Sequence, residues 1–522
     1  MHTLPRLLAP LFFLAASAIA APQPNVLFIV ADDFRAELAS YGSPAHTPNL
    51  DRLAKRSLQF DRAYAQQAVC NPSRSSFLTG RRPDTLRIWN NGTHFRELNP
   101  DVMTLPLWFK EHGYDTRCVG KIFHNWHTKV HGDPRSWSAP EFLHYANHGE
   151  DDAQVKGELP PNLAKTTTGF GYAKNGLCEC RDVPDEAYFD GRVAAEAVRV
   201  LGEVKGKPFF LAVGFWKPHA PFNAPKRYWD LYDRAKLPPL DAHNEPRPIG
   251  APDIAFHQST EILGPVKNQQ RPTPEQAAEM RHGYFANISY MDAQLGRVLD
   301  ALEASGVADR TIITFVADHG YHIGEHTLWG KTSNFELDAR VPFFISAPVA
   351  RAILPAGAPE IKSEAQPAIA DRIVRVTEGT PGMKSAGQRT SSPTELLDLF
   401  PTLVSLCALP KPDAIEGTNL APLLTDPSLR LKPASFTQHP RPAYYDREPG
   451  GQPSVMGVSV RTARVRYTEW RDWKTGEPVA RELYDAANDP NEMKNAVNSP
   501  ALAEAQGEAA ALLKKQFPIT KH

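Results

Sequence analysis

Three stretches of the chain are apolar at almost every position and then run into charge, and a fourth, broken by Asp115 and Arg117, does so more weakly. NVLFIVADD ends on Asp32 and Asp33, and YDTRCVGKIFH on Lys121 and His124. PFFLAVGFWKPHAPF passes from Phe209–Val213 to His219, and TIITFVADHG ends on Asp318 and His319. Apolar runs without alternation read as strands buried on both faces, the habit of a parallel sheet under helices. VPFFISAP supplies a further run. Between them lie helical patterns, most clearly PEQAAEMRHGYFANISYMDAQLGRVLDALEASG. There Met280, Tyr284, Ile288, Met291, Leu295, Val298 and Leu302 recur every three or four residues, and Gly306 closes the helix. Strands alternating with helices predict an α/β fold with a mainly parallel sheet, whose ligands sit beyond the carboxyl ends of the strands.

The pattern changes after about residue 425. MGVSVRTARVRYTEWRDWKTGEPVARELYD alternates apolar and polar positions around a glycine-containing turn, which predicts an antiparallel meander. A smaller C-terminal domain over 426–522 is therefore expected, closed by a helix in PALAEAQGEAAALLKKQF, after a catalytic domain over 21–425. Residues 240–275 and 348–393, rich in proline, alanine and polar residues, read as long surface loops.

The chain has 522 residues, enough for one large and one smaller domain, and 42% hydrophobic content supplies a core. Its 58 basic and 59 acidic residues nearly cancel, which excludes a general nucleic-acid binder. Residues 1–20 read as a secretory signal: Arg6, the apolar run Leu7–Ala16, then Ala18-Ile19-Ala20 for cleavage. No later stretch is long and apolar enough to span a bilayer, so an exported protein without a membrane anchor after cleavage is expected. Five cysteines are an odd number for an oxidising compartment, so at least one stays unpaired or is used chemically. Asn91-Gly92-Thr93 and Asn287-Ile288-Ser289 fit the glycosylation pattern, the second within the long predicted helix.

An aspartate after one strand is ordinarily a turn residue or helix cap. Jointly the strand ends say more, because Asp32, Asp33 and Asp318 would repel one another unless a cation sat between them. The remaining signal is Cys70-Asn71-Pro72-Ser73-Arg74, followed by Leu78-Thr79-Gly80-Arg81. It resembles the sulfatase signature C-x-P-S-R-x-x-x-L-T-G-R. PNLDRLA, VGKIFH, SNFELDARVP and QHPRP appear in the order expected for that family. In detail the chain is most similar to the iduronate-2-sulfatase branch, through SSFLTGRRPDT, the Lys121–His124 spacing and the pair Asp318-His319.

The resemblance implies an alkaline-phosphatase-like fold: a large mainly parallel sheet sandwiched by helices, and a smaller C-terminal domain with an antiparallel sheet and a helix. It implies that a maturation enzyme oxidises Cys70 to formylglycine, whose hydrate is the nucleophile. Asp32, Asp33, Asp318 and His319, with modified Cys70, are then the ligands of one divalent cation. Three carboxylates suit a hard ion, and the family usually uses calcium. His319 departs from the Asp-Asn pair of other sulfatases, and imidazole is a softer donor. Arg74 and Lys121 are expected to hold formylglycine and sulfate oxygens, and His124 to take a proton. His219 and Lys331 are expected to contact sulfate, either one protonating the leaving oxygen. Asp338, Arg340 and Arg81 lie in matching stretches without assigned chemistry. The expected substrate is a sulfated carbohydrate, specifically a 2-O-sulfated uronic acid. The alternatives are a phosphonate or phosphate monoester hydrolase on the same fold, and a catalytically inactive glycan-binding relative.

Overall fold

A computed structural model describes residues 23–124, 132–142, 178–237, 246–257, 272–347, 386–447 and 451–519. The signal segment lies outside these residues, as do most of the two long loops. At the centre is a seven-stranded sheet: β1 (Asn25–Asp32), β2 (Leu58–Phe60), β3 (Asp115–Gly120), β4 (Phe209–Pro218), β5 (Thr311–Ala317), β6 (Phe343–Ser346) and β7 (Arg389–Thr390), in the order β7-β2-β6-β5-β1-β4-β3. Every residue of β1, β4 and β5 is buried, as expected of doubly buried strands, whereas β3 leaves Arg117 half-buried. β3, β4, β1 and β5 are parallel, whereas β6 runs antiparallel to both of its neighbours.

Helices α1 (Cys70–Thr79), α2 (Phe189–Val204) and α3 (Pro274–Ala304) pack around this sheet. Phe28 of β1 meets Phe77 of α1 at 6.2 Å between ring centroids and Phe210 of β4 at 5.7 Å. All seven periodic positions of α3 are buried, but so are Arg281, His282 and Asn287, because the helix is enclosed on more than one face. Burial of Asn287 removes the second glycosylation pattern from solvent.

Two expectations need correction. Arg389–Thr390 is not loop but an edge strand of the main sheet. Within 240–275, Ala255 and Phe256 are buried against Phe335 and Trp470, because their apolar side chains fill the seam below the C-terminal sheet. That sheet is a meander of β8 (Ser435–Arg441), β9 (Val455–Arg461), β10 (Val465–Asp472) and β11 (Pro478–Asp485), covered by α4 (Ala503–Gln516).

The C-terminal meander also braces the approach to α1. Gln438 donates its backbone N–H to the Gln66 carbonyl at 2.9 Å. Arg82, just past α1, grips Glu395 with two bonds of 2.8 and 3.0 Å, and Lys432 adds a third at 2.9 Å. Burial pushes the Glu395 carboxyl up, but Arg82 and Lys432 outweigh it and hold it at about 2. A depressed carboxyl contributes stability above its unfolded value near 4.5 and loses it as pH falls toward 2. Glu395→Gln should cost roughly 3 kcal/mol at pH 7 and flatten the acid limb between about pH 4.5 and 2, as read by urea denaturation. Parallel wild-type and variant pH profiles would contradict this account.

Candidate active site

Because β1, β3, β4 and β5 run in one direction, their carboxyl ends open on the same edge of the sheet. Asp32 and Asp33 leave β1, Lys121 and His124 follow β3, His219 follows β4, and Asp318 and His319 follow β5. Asp33 adopts φ 57°, a left-handed conformation that aspartate tolerates. It is held there by its N–H on Asp318 Oδ1 (3.1 Å) and by the Tyr284 hydroxyl on its carbonyl (2.8 Å).

Helix α1 brings in the cysteine. Val69 precedes it in extended conformation, Pro72 falls in the first turn, and Gly80 ends the helix at φ 65°. A Cβ on Gly80 would meet Ile415 Cδ1 at 2.9 Å, so the glycine of the signature is required twice over. The Cys70 sulfur lies 3.4 Å from His319 Nε2 and 3.6 Å from both Asp32 Oδ1 and Lys331 Nζ. Burial and the Asp32 charge push the Cys70 thiol well above its ordinary range. As a plain thiol it is a poor nucleophile.

Asp32, Asp33 and Asp318 are fully buried. Arg74, equally buried, donates Nε to Asp318 (2.9 Å), Nη2 to Asp32 (3.1 Å) and Nη1 to the carbonyls of Lys121 and Ile122. Lys121 Nζ reaches Asp32 at 2.5 Å, and Lys331 Nζ reaches Asp33 at 2.8 and 3.0 Å. Burial pushes the Asp32 carboxyl up, yet Lys121 and Arg74 outweigh it and keep it well below the usual carboxylate range. Arg74 therefore sits under the carboxylates with its guanidinium already engaged.

These residues suit a divalent cation. Ligand atoms of Asp32, Cys70, Asp318 and His319 lie within 4.8 Å of one another, and so do those of Asp32, Asp33, Cys70 and His219. His319 Nδ1 faces the Gly320 carbonyl at 2.9 Å, which turns Nε2 toward Asp33 Oδ1 (3.4 Å) and the sulfur. A neutral ring in that tautomer presents a lone pair to a carboxylate, an arrangement a cation resolves. Arg74, Lys121 and Lys331 already match the three carboxylates in charge, so a divalent ion leaves the centre positive and ready for an anion.

His219 Nε2 stands 3.7 Å from Asp33, closer to the metal cluster than its expected sulfate-facing role implies. His124 is buried in the turn after β3. Sequence reasoning missed the support of His219. Lys217 donates to the carbonyls of His219 (3.2 Å) and Pro221 (2.6 Å), while Asp190 accepts the N–H groups of Trp216 and Lys217. Lys217 sits two residues from His219 in a motif already noted, whereas Asp190 gives no signal in sequence.

A metal-ready, anion-accepting centre at the strand ends of an α/β sheet defines a hydrolase of anionic esters. The chain belongs to the sulfatase family: the sulfatase family model matches residues 24–408, and the C-terminal model of N-sulphoglucosamine sulphohydrolase matches 379–517. It is a sulfuric ester hydrolase of alkaline-phosphatase-like fold. It is 36% identical to mouse iduronate 2-sulfatase and 34% to the human protein, over 91% of each chain. Among solved structures, a complex with D-glucosamine-2-N,6-O-disulfate superposes with a TM-score of 0.68 at 20% identity, covering 95% of this chain and 97% of that one. A phosphonate monoester hydrolase from Silicibacter pomeroyi superposes at 0.67 with 23% identity, covering 96% of both.

Removing Arg74 would strand Asp32 and Asp318 without their shared cation. Arg74→Met should cost roughly 3 kcal/mol in urea denaturation, and added calcium should recover part of the loss by supplying the missing charge. An unchanged midpoint, or one indifferent to calcium, would show that the carboxylates do not depend on positive charge here.

Proposed function

We propose that this sulfatase is exported, that it hydrolyses sulfate esters of sulfated glycans with a preference for 2-O-sulfated uronic acid, and that it works through formylglycine at position 70 beside one calcium ion. The observation that carries the reading is the Cys70 sulfur lying within 3.6 Å of Asp32, His319 and Lys331 together. A buried thiol held protonated is of little use there, whereas a hydroxyl could be activated and an anion received. The hydrate of formylglycine supplies two hydroxyls, one to attack sulfur and a second to release sulfate by return to the aldehyde. When bound, the calcium ion supplies charge that lowers the pKa of the attacking hydroxyl and polarises the sulfate oxygens.

The chain's own groups divide the remaining work. Asp32, Asp33, Asp318 and His319 hold the ion, and Arg74 holds two of those carboxylates in place. Lys121 and Lys331 neutralise the ester, and Lys331 or His219 protonates the leaving oxygen. His124 is assigned the proton given up when the aldehyde reforms. Formylglycine requires a maturation enzyme as partner. Export rests on residues 1–20, and among the described residues no helix is long and apolar enough to cross a membrane. The proposed units are a catalytic domain over 21–425 and a C-terminal domain over 426–522. The identity to mouse iduronate 2-sulfatase, 36% across 91% of both chains, supports the uronic acid preference.

Four measurements test this. Peptide mass spectrometry should find an aldehyde at position 70 in proportion to activity. Cys70→Ser, kept unoxidised, should release at most one equivalent of alcohol and retain sulfate; full turnover with an unmodified thiol or serine would end the formylglycine reading. Defined disaccharides should lose 2-O-sulfate from uronic acid at least about tenfold faster than 6-O-sulfate from hexosamine. The reverse order would overturn the sugar preference alone, and faster cleavage of aryl phosphate than aryl sulfate would favour phosphoryl chemistry.

A further inference from the structure

Lys331 is followed by an unusual neighbour. Thr332 has φ 88°, a conformation that a β-branched residue rarely adopts and that costs about 1–3 kcal/mol. It is fully buried, and its hydroxyl finds no hydrogen-bond partner among the described residues, so the side chain does not stabilise the turn. The peptide that follows does. Its carbonyl, on Thr332, accepts from Arg441 Nη1 at 3.0 Å, and its N–H, on Ser333, donates to Asp338 Oδ2 at 2.9 Å. Any change of φ at Thr332 swings its carbonyl and the peptide that follows, and that peptide is clamped on both sides.

Arg441 comes from the last position of β8, in the C-terminal sheet. Its Nε donates to the Ile254 carbonyl at 2.8 Å and its Nη2 to that of Ala255 at 2.9 Å, and the guanidinium lies 4.7 Å from the centre of the Trp470 ring. Among the described residues it forms no ion pair. Burial without a facing carboxylate pulls the guanidinium down to about 10, Glu482 and Asp338 offsetting only part of the loss. A buried charge spent on carbonyls is an expensive way to fill space. Its donors tie three segments of chain together, one of them carrying Lys331.

We propose that Arg441 is a positioning residue for Lys331: by clamping the Thr332–Ser333 peptide, the C-terminal sheet holds a strained turn that aims the lysine at Asp33 and Cys70. The inference takes the role of Lys331 from the proposed function, but the clamp itself can be tested without turnover. Arg441→Met should lower kcat on an aryl sulfate about 30-fold, and combining it with Lys331→Ala should lower it no further than Lys331→Ala alone. Glycine adopts the left-handed region freely, so in the Thr332→Gly background the Arg441→Met loss should shrink to under about threefold. Arg441→Lys, which keeps the buried charge, carries the same comparisons if Arg441→Met does not fold. Crystal structures give the independent readout: in the Arg441 variant Thr332 should leave positive φ and Lys331 Nζ should leave hydrogen-bonding distance of Asp33. An unmoved Lys331, equal losses in both Thr332 backgrounds, or losses that multiply with Lys331→Ala would overturn the proposal. Absent sulfatase activity would instead refute the proposed function, leaving the crystallographic comparison to decide the clamp.

Discussion

Three fully buried carboxylates at one edge of a parallel sheet are the constraint around which this molecule is arranged. Asp32, Asp33 and Asp318 cannot remain ionised together in a sealed apolar setting unless positive charge is brought to them. The chain brings it from three directions: Arg74 from below on α1, Lys121 from the end of β3, and Lys331 from the connection between β5 and β6. A divalent ion held by the same carboxylates would add charge in excess of theirs. The surplus charge on loading is then available to an incoming sulfate monoester, a poor ligand in water that needs a preorganised positive site.

That arrangement explains why α1 is buried along its whole length. Cys70 must stand in the first turn and Arg74 one turn later on the same face, the sulfur toward His319 and the guanidinium toward Asp318. Ser73 completes the grip through its hydroxyl on the Asp318 carbonyl at 2.5 Å. A helix so enclosed needs support outside the central sheet, and it comes from Gln438 of the C-terminal meander on Gln66 and from Lys432, in the segment leading into the meander, on Glu395. The second layer is thus part of the scaffold of the centre rather than an appendage.

Much of this was legible in the chain. Apolar runs that stop on charge announced the parallel strands and the edge where their ionisable residues gather. Pro72 announced a helix start at Cys70, and the switch to alternation announced the antiparallel meander. These features are local: a strand buried on both faces must be apolar throughout, and a helix must repeat every three to four residues. Short edge pieces were missed for the same reason. Arg389–Thr390 is too brief to show any period, and its strand character comes from pairing with Gln59 and Phe60.

What the sequence by itself determined, then, is the set of chemical groups and the elements that carry them. Only the tertiary structure decided which groups meet. It put Arg74 beneath the carboxylates, drew His219 toward Asp33, and recruited Asp190, Lys217 and Arg441 as supports. Arg441 lies 109 residues from the Thr332 carbonyl it holds, and Asp190 lies 27 residues from the Lys217 N–H it accepts. No local pattern records such contacts, because an interior hydrogen bond depends on where two distant backbones cross rather than on the residues beside either partner.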